Sequence, residues 1–241
     1  MKQERQIDLV RRVLAHVDAK TTDTDPRGGA TIGVDAYASE ARLAREIDVL
    51  FRDLPLAIAH SSELGKPGDF LTHDLSGAPL LVVRRDDGGL DGFLNVCRHR
   101  GTRVESAPRG NKQGFSCPYH GWTYGRRGQL VTIPHERGFA ACADKDKRGL
   151  TRVHVGEAAG MIFARPRPVH AGSFATEGPT MESWLGAEVA EDFEGFGLTK
   201  SVVWGPRSIT RDISWKLAID IFLETYHLRP THKSTIYPMF F

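Results

Sequence analysis

Residues 95–101 read Asn-Val-Cys-Arg-His-Arg-Gly, and residues 117–125 read Cys-Pro-Tyr-His-Gly-Trp-Thr-Tyr-Gly. Cys97 and His99 are separated by one residue and Cys117 and His120 by two, with 17 residues between the pairs. Thiolate and imidazole are the ligands that zinc and soft or borderline iron sites select, and two such pairs predict a metal site built from two loops. Two occupants satisfy the set. Zinc would take all four side chains in one tetrahedron, whereas a [2Fe-2S] cluster would take the two thiolates on one iron and the two imidazoles on the other.

The sequence around these loops has the texture of short strands. Leu-Ala-Ile-Ala-His at 56–60, Asp-Phe-Leu-Thr-His-Asp-Leu at 69–75, Pro-Leu-Leu-Val-Val-Arg-Arg at 79–85 and Gly-Phe-Leu-Asn-Val at 92–96 are strand candidates, separated by turn formers. Asp86-Asp87-Gly88-Gly89 predicts a hairpin turn between the last two. Before Pro55 the pattern is helical. Ile7, Val10, Val13, Leu14 and Val17 recur at helix spacing, and Ser39 ahead of Glu40, Leu43, Ile47 and Leu50 reads as an N-capped amphipathic helix ending before Leu54-Pro55. After residue 150 the alternation of Ile209, Ile213 and Trp215 suggests a further strand, interrupted by Arg211.

The motif Val-Cys-Arg-His-Arg-Gly with Cys-Pro-Tyr-His-Gly-Trp-Thr-Tyr-Gly-Arg-Arg-Gly-Gln-Leu resembles the Rieske motif of the large subunits of ring-hydroxylating, non-haem iron oxygenases. The resemblance implies that Cys97 and Cys117 hold one iron of a [2Fe-2S] cluster and that His99 and His120 hold the outer iron. Replacing two thiolates by neutral imidazoles leaves less negative charge on the cluster, which places its potential at roughly −150 to +300 mV. Gly101 and Gly121 would let the loops approach closely, and Trp122 would shield the cluster from water. Cys142 has no second ligand at matching spacing and reads as an ordinary small residue.

A second constellation lies in Ser-Trp-Lys-Leu-Ala-Ile-Asp-Ile-Phe-Leu-Glu-Thr-Tyr-His-Leu-Arg-Pro-Thr-His at 214–232. Offsets of four and three place Asp220, Glu224 and His227 on one face of a predicted helix. His232 would point elsewhere on a continuous helix, and Pro230 permits a turn that brings it back. Two histidines and a carboxylate around open positions are the ligands of mononuclear iron oxygenases. This stretch is also similar to the Rieske oxygenases. The resemblance implies that His227 and His232 bind mononuclear Fe(II), and that Glu224, where the family more often has Asp, links the cluster of one subunit to the iron of its neighbour.

These readings define an α+β chain: an N-terminal helical segment at 1–54, a small antiparallel β Rieske [2Fe-2S] domain at 55–150, and at 151–241 the first part of a helix-grip, START-like catalytic domain. The family's third iron ligand, an aspartate, is expected beyond residue 241, so the chain reads as truncated and by itself inactive. The implied activity is O2-dependent hydroxylation of an aromatic compound. Its electrons would come ultimately from NAD(P)H through a reductase or ferredoxin, in a homotrimer or a trimer with a small subunit. Monooxygenation or demethylation of a quaternary ammonium or alkyl substrate is the alternative within the family. An electron-transfer-only Rieske protein and a zinc-stabilised module are the alternatives outside it.

Composition bounds the rest. The 241 residues are 40% hydrophobic, enough for a sizeable core, and 32 basic against 30 acidic side chains give no electrostatic case for nucleic acid. No apolar run approaches membrane-spanning length, and the N-terminus lacks a signal-peptide core, so a cytoplasmic location is expected. Arg98, Arg100 and Arg103 are candidates to steer an acidic redox partner.

Overall fold

In the computed structural model the described residues are 2–23, 26–74, 77–139, 144–169, 181–205 and 207–239. They divide into two compact units, one of Met1–Thr22 and Glu46–Gly205, the other of Asp23–Arg45 and Pro206–Phe241.

The first unit is built on two antiparallel sheets. Strands β1 (Leu56–His60), β2 (Asp69–His73) and β3 (Leu80–Arg84) form within the runs that predict them, whereas β4 (Leu90–Leu94) lies two residues earlier than the run at 92–96. Three-residue strands follow: β5 (Arg109–Asn111), β6 (Gly114–Ser116), β7 (Thr123–Gly125) and β8 (Leu130–Thr132). Strands β9 (Arg152–Ala158) and β10 (Met161–Pro168) then complete a seven-stranded sheet in the order β1-β10-β9-β4-β3-β2-β5, while β6-β7-β8 make a second sheet.

Strand β3 shows why its run is continuously apolar. Leu81 and Val83 face the cluster-side core, whereas Leu80 and Val82 face apolar clusters formed with Val153, Ala164 and Ile162, so both faces are covered. The predicted hairpin is present, with β3 and β4 paired from Leu80↔Leu94 to Arg84↔Leu90 and Gly88 taking a left-handed φ of 84° in the turn. Between the two sheets the Phe70 and Phe115 rings meet edge to face at 5.3 Å. Buried charges are paired. Arg84 donates to the Leu64 carbonyl at 2.6 Å and to the Gly88 carbonyl at 2.8 Å, and it pairs with Glu157.

The N-terminal helix α1 spans Gln3–Ala19 as its spacing predicts, but its apolar side chains are exposed. A short helix α2 (Asp35–Ala38) precedes α3 (Glu40–Glu46), and the Arg42 amide donates to Ser39 Oγ at 3.3 Å, the bond expected of an N-cap. The chain continues through a π-turn at Ile47–Phe51. Beyond β10 come α4 (Met181–Leu185) and α5 (Ala187–Gly195), and in the second unit α6 (Trp215–Leu223) and α7 (Leu228–Thr231). No strand forms around Ile209 and Ile213, which are 70% and 54% exposed. A lone run with a charge at its centre has no neighbouring strand to satisfy its backbone among the described residues.

Candidate metal centre

The two Cys-His loops meet at one end of the first unit. Cys97 and Cys117 are each 3% exposed and belong to the same apolar core as Phe93, Trp122 and Tyr124. Each loop folds tightly on its cysteine. The Cys97 amide donates to Thr102 O at 2.8 Å and Gly101 N to Cys97 O at 2.9 Å; likewise Cys117 N donates to Trp122 O at 2.8 Å and Gly121 N to Cys117 O at 3.0 Å. Both turns require a left-handed residue, supplied by Gly101 (φ 77°) and Gly121 (φ 69°).

The imidazoles come together at the same place. The His99 and His120 ring centroids are 4.6 Å apart, and Trp122 stacks on His99 at 4.9 Å with an interplanar angle of 7°. Phe139 stands edge-on to His99 at 6.4 Å and to Trp122 at 6.3 Å. Of the two histidines, His120 is the exposed one, beside the exposed Tyr119 ring at 3.8 Å. Burial, the nearby His120 and the Arg100 and Arg148 guanidinium groups hold the His99 imidazole below its ordinary pKa, so the ring is neutral at neutral pH with a lone pair available to a metal.

Sulfur chemistry on the other side is equally directed. Burial pushes the Cys97 thiol up, opposed by the Tyr124 hydroxyl and the His99 amide, while the adjacent Cys117 raises it further. Tyr124 Oη lies 3.2 Å from Cys97 Sγ and accepts from the Arg98 amide at 2.9 Å; toward a thiolate sulfur, which has no proton to give, the hydroxyl is the donor. The sequence reading missed Tyr124. Trp122, just ahead of β7, and Tyr124, within it, are both buried in the same apolar core.

This donor set fits a [2Fe-2S] cluster. Two buried cysteines side by side would be a poor thiolate pair without cations, and the buried His99 Nδ1 has no hydrogen-bond partner. A buried ring nitrogen with neither donor nor acceptor beside it is costly unless a metal occupies its lone pair. A [2Fe-2S] cluster would ask two ligands of each iron, which two thiols and two imidazoles can supply. Cys142 lies outside the described residues.

In the second unit the predicted common helix face is not formed. Helix α6 ends at Leu223, Glu224 is already extended (φ −123°, ψ 146°), and His227 precedes α7. The cause is local competition: the Glu224 carboxylate accepts the His227 amide at 3.1 Å, the donor a continuous helix would use, and it also bonds His227 Nδ1. Bonding to His227 holds the Glu224 carboxyl below the usual range, outweighing a smaller opposing effect of desolvation. Asp220 turns instead to the Tyr37 hydroxyl, which donates to it at 2.8 Å. Pro230 lies within a helical turn rather than ending one, with Arg229 before it also helical. It occupies the third position of α7, where the first turn needs no amide donor, and that single turn carries His232 back until its ring lies 5.5 Å from His227. Two adjacent imidazoles, one oriented by a carboxylate, fit part of a mononuclear iron site.

The arginines near the cluster loop differ. Arg103 is engaged by Asp74 in a two-pronged bond of 2.7 and 2.9 Å, while Arg98 and Arg100 are exposed.

Comparison with known proteins agrees with this geometry. Residues 55–144 match the Rieske [2Fe-2S] domain. The chain is 31% identical over 92% of its length to the chlorobenzene dioxygenase subunit alpha of Cupriavidus sp. (strain PS12), covering 46% of that protein. It is 31% identical over 83% of its length to the large oxygenase component of the naphthalene 1,2-dioxygenase system of Pseudomonas aeruginosa, covering 44% of it. Among solved structures, the quaternary ammonium Rieske monooxygenase CntA superposes with a TM-score of 0.73 at 28% identity, over 84% of this chain and 54% of that one. Naphthalene 1,2-dioxygenase from Rhodococcus sp. gives 0.72 at 29%, over 86% and 46%. The chain belongs to the Rieske oxygenase large (alpha) subunits, and its β domain is the kind that carries a [2Fe-2S] cluster. It spans about half the length of the curated relatives it matches.

Proposed function

We propose that this chain is the electron-accepting part of the large subunit of a multicomponent oxygenase that hydroxylates an aromatic compound with O2. Cys97 and Cys117 hold one iron of the cluster, and His99 and His120 hold the other. When bound, the cluster supplies one-electron chemistry at a potential accessible to biological donors. The chain's own residues set the conditions for it: Tyr124 directs a proton to Cys97, Trp122 and Phe139 keep water from His99, and the exposed His120 leaves an edge for electron entry or exit. His227 and His232 bind ferrous iron, with the third ligand elsewhere. Glu224 orients His227 and forms the hydrogen-bonded link toward a neighbouring subunit's cluster in a trimer. In sequence the order is a helical segment (1–54), a cluster domain (55–150) and a mononuclear-iron region (151–241), with β9 and β10 of the last region lending strands to the cluster domain's sheet. The electron donor is a reductase or ferredoxin drawing on NAD(P)H, the location is cytoplasmic, and Arg98 and Arg100, rather than Arg103, are the side chains free to meet an acidic partner.

The observation that carries this reading is the convergence of two buried cysteines and two histidines in edge-to-face ring contact from two glycine-turned loops. A second reading within the family, oxidation of a quaternary ammonium substrate, is supported by the TM-score of 0.73 to CntA. Product analysis after supplying the natural full-length subunit with a reductase, NADH and either a one- or two-ring aromatic hydrocarbon or a trimethylammonium compound separates the two. Aromatic diol formation supports the first reading, and aldehyde or demethylated amine formation supports the second.

A further inference from the structure

The two ligand loops are closed by different means. Loop 117–122 is the end of a hairpin whose neck is a ladder, Ser116 pairing with Thr123. Loop 95–105 leaves β4 after Leu94 and returns at Val104 and Glu105, which belong to no strand, so no ladder closes it. Asn95 stands at that neck, fully buried at 0% exposure. Its Oδ1 accepts from the Val104 amide at 3.1 Å and the Glu105 amide at 2.9 Å, and its Nδ2 donates to the Glu105 carbonyl at 2.7 Å. Its own amide donates to Pro79 O at 2.8 Å, anchoring the neck to the sheet.

We propose that Asn95 is a positioning residue for the cluster: one side-chain amide replaces the missing strand pair and sets where Cys97 and His99 stand relative to Cys117 and His120. The inference rests on the cluster assignment above. The chemistry selects asparagine. Three backbone groups at the neck, two donors and one acceptor, are matched by one amide. Aspartate accepts but cannot donate to Glu105 O, leucine satisfies none of the three, and glutamine is a methylene too long for a site with no exposed surface.

The test uses the full chain, reconstituted anaerobically, as wild type, Asn95→Leu, Asn95→Asp and Arg84→Met. The last is the control for stability loss alone, since Arg84 is a buried, three-way bonded residue at the opposite end of the β3–β4 pair from the loop. The readouts are thermal unfolding, the electron paramagnetic resonance spectrum of the dithionite-reduced cluster, and resistance of the cluster to an iron chelator. Asn95→Leu is expected to broaden the g-values and hasten cluster loss on the order of 10-fold. Asn95→Asp should fall between it and wild type, and it decides the question alone where Asn95→Leu does not fold. Arg84→Met should lower Tm while keeping the wild-type line shape. A wild-type spectrum and chelator resistance in the Asn95 variants, or the same broadening in Arg84→Met, would overturn the role of Asn95. A wild-type protein without sulfide would overturn the cluster assignment and this role together.

Discussion

At the scale of single residues, the chemistry of the site depends on which side chain directs a proton where. The Arg98 amide donates to Tyr124 Oη, and toward a Cys97 thiolate the Tyr124 hydroxyl is the group that can donate. A hydrogen bond to sulfur stabilises the more negative, reduced cluster, and a bond worth roughly 1 kcal/mol corresponds to about 40 mV for a one-electron couple. Tyr124→Phe is therefore expected to lower the reduction potential by roughly 40–60 mV, measured by redox titration of the visible spectrum; an unchanged potential would contradict this orientation of the hydroxyl. Sequence made the proposed ligand side chains legible because their identities and spacing point to coordination chemistry directly. Tyr124, Asn95 and Phe139 act through contacts with those ligands or with the backbone around them, and only the folded chain brings Phe139 against His99, which lies forty positions earlier.

At the scale of elements, the loops are legible and the helix ends are not. The four longer apolar runs before residue 97 became β1–β4, since runs of that length bounded by turn residues have few alternatives. The three-residue strands β5–β8 are too short to show a period. The helix predicted through Asp220, Glu224 and His227 breaks at Glu224 because side-chain bonding to the His227 amide competes with the helical bond, an outcome periodicity does not encode. The turn at Gly121 makes a firm prediction. A Cβ added there would lie 3.0 Å from Pro134 Cγ at a φ of +69°, so Gly121→Ala should cost about 1 kcal/mol and reduce cluster loading, read as iron and sulfide per chain. Wild-type loading in that variant would show that the loop tolerates the shift.

A second element-scale prediction concerns the strap from β5 back to the first loop. Burial disfavours ionisation of Glu105, but the Lys112 ammonium and the Ala107 amide outweigh it and hold the carboxyl below its ordinary value. Because the folded-state pKa is the lower one, this pair stabilises the fold above the unfolded glutamate pKa and is lost as pH falls through the folded value. Lys112 is 46% exposed, so the contribution is about 1 kcal/mol or less. Lys112→Met should lower Tm by ~2–4 °C at pH 7, with the gap to wild type closing below about pH 4, in thermal scans across pH. A gap independent of pH would assign the loss to packing of the lysine stem instead.

At the scale of the whole molecule, the described residues bring together two cysteines and two histidines in one unit and a pair of histidines in the other. The cluster ligands sit in a cored unit whose two sheets bury Cys97 and Cys117, whereas Glu224, His227 and His232 lie in a second unit where α6 exposes Phe222 and Leu223 at 88% and 78%. His227 is oriented by Glu224 alone among the described residues, so ferrous iron should bind this pair weakly, and His227→Ala should abolish that binding while leaving the cluster spectrum intact. Loss of the cluster in His227→Ala would contradict the independence of the two sites. The most direct measurement is the iron, zinc and acid-labile sulfide content of anaerobically purified protein, taken with its visible spectrum. The account predicts a coloured protein with about two irons and two sulfides per chain and no stoichiometric zinc. Zinc without sulfide in a colourless protein would contradict it, because Cys97, His99, Cys117 and His120 would then be the four ligands of a single structural ion.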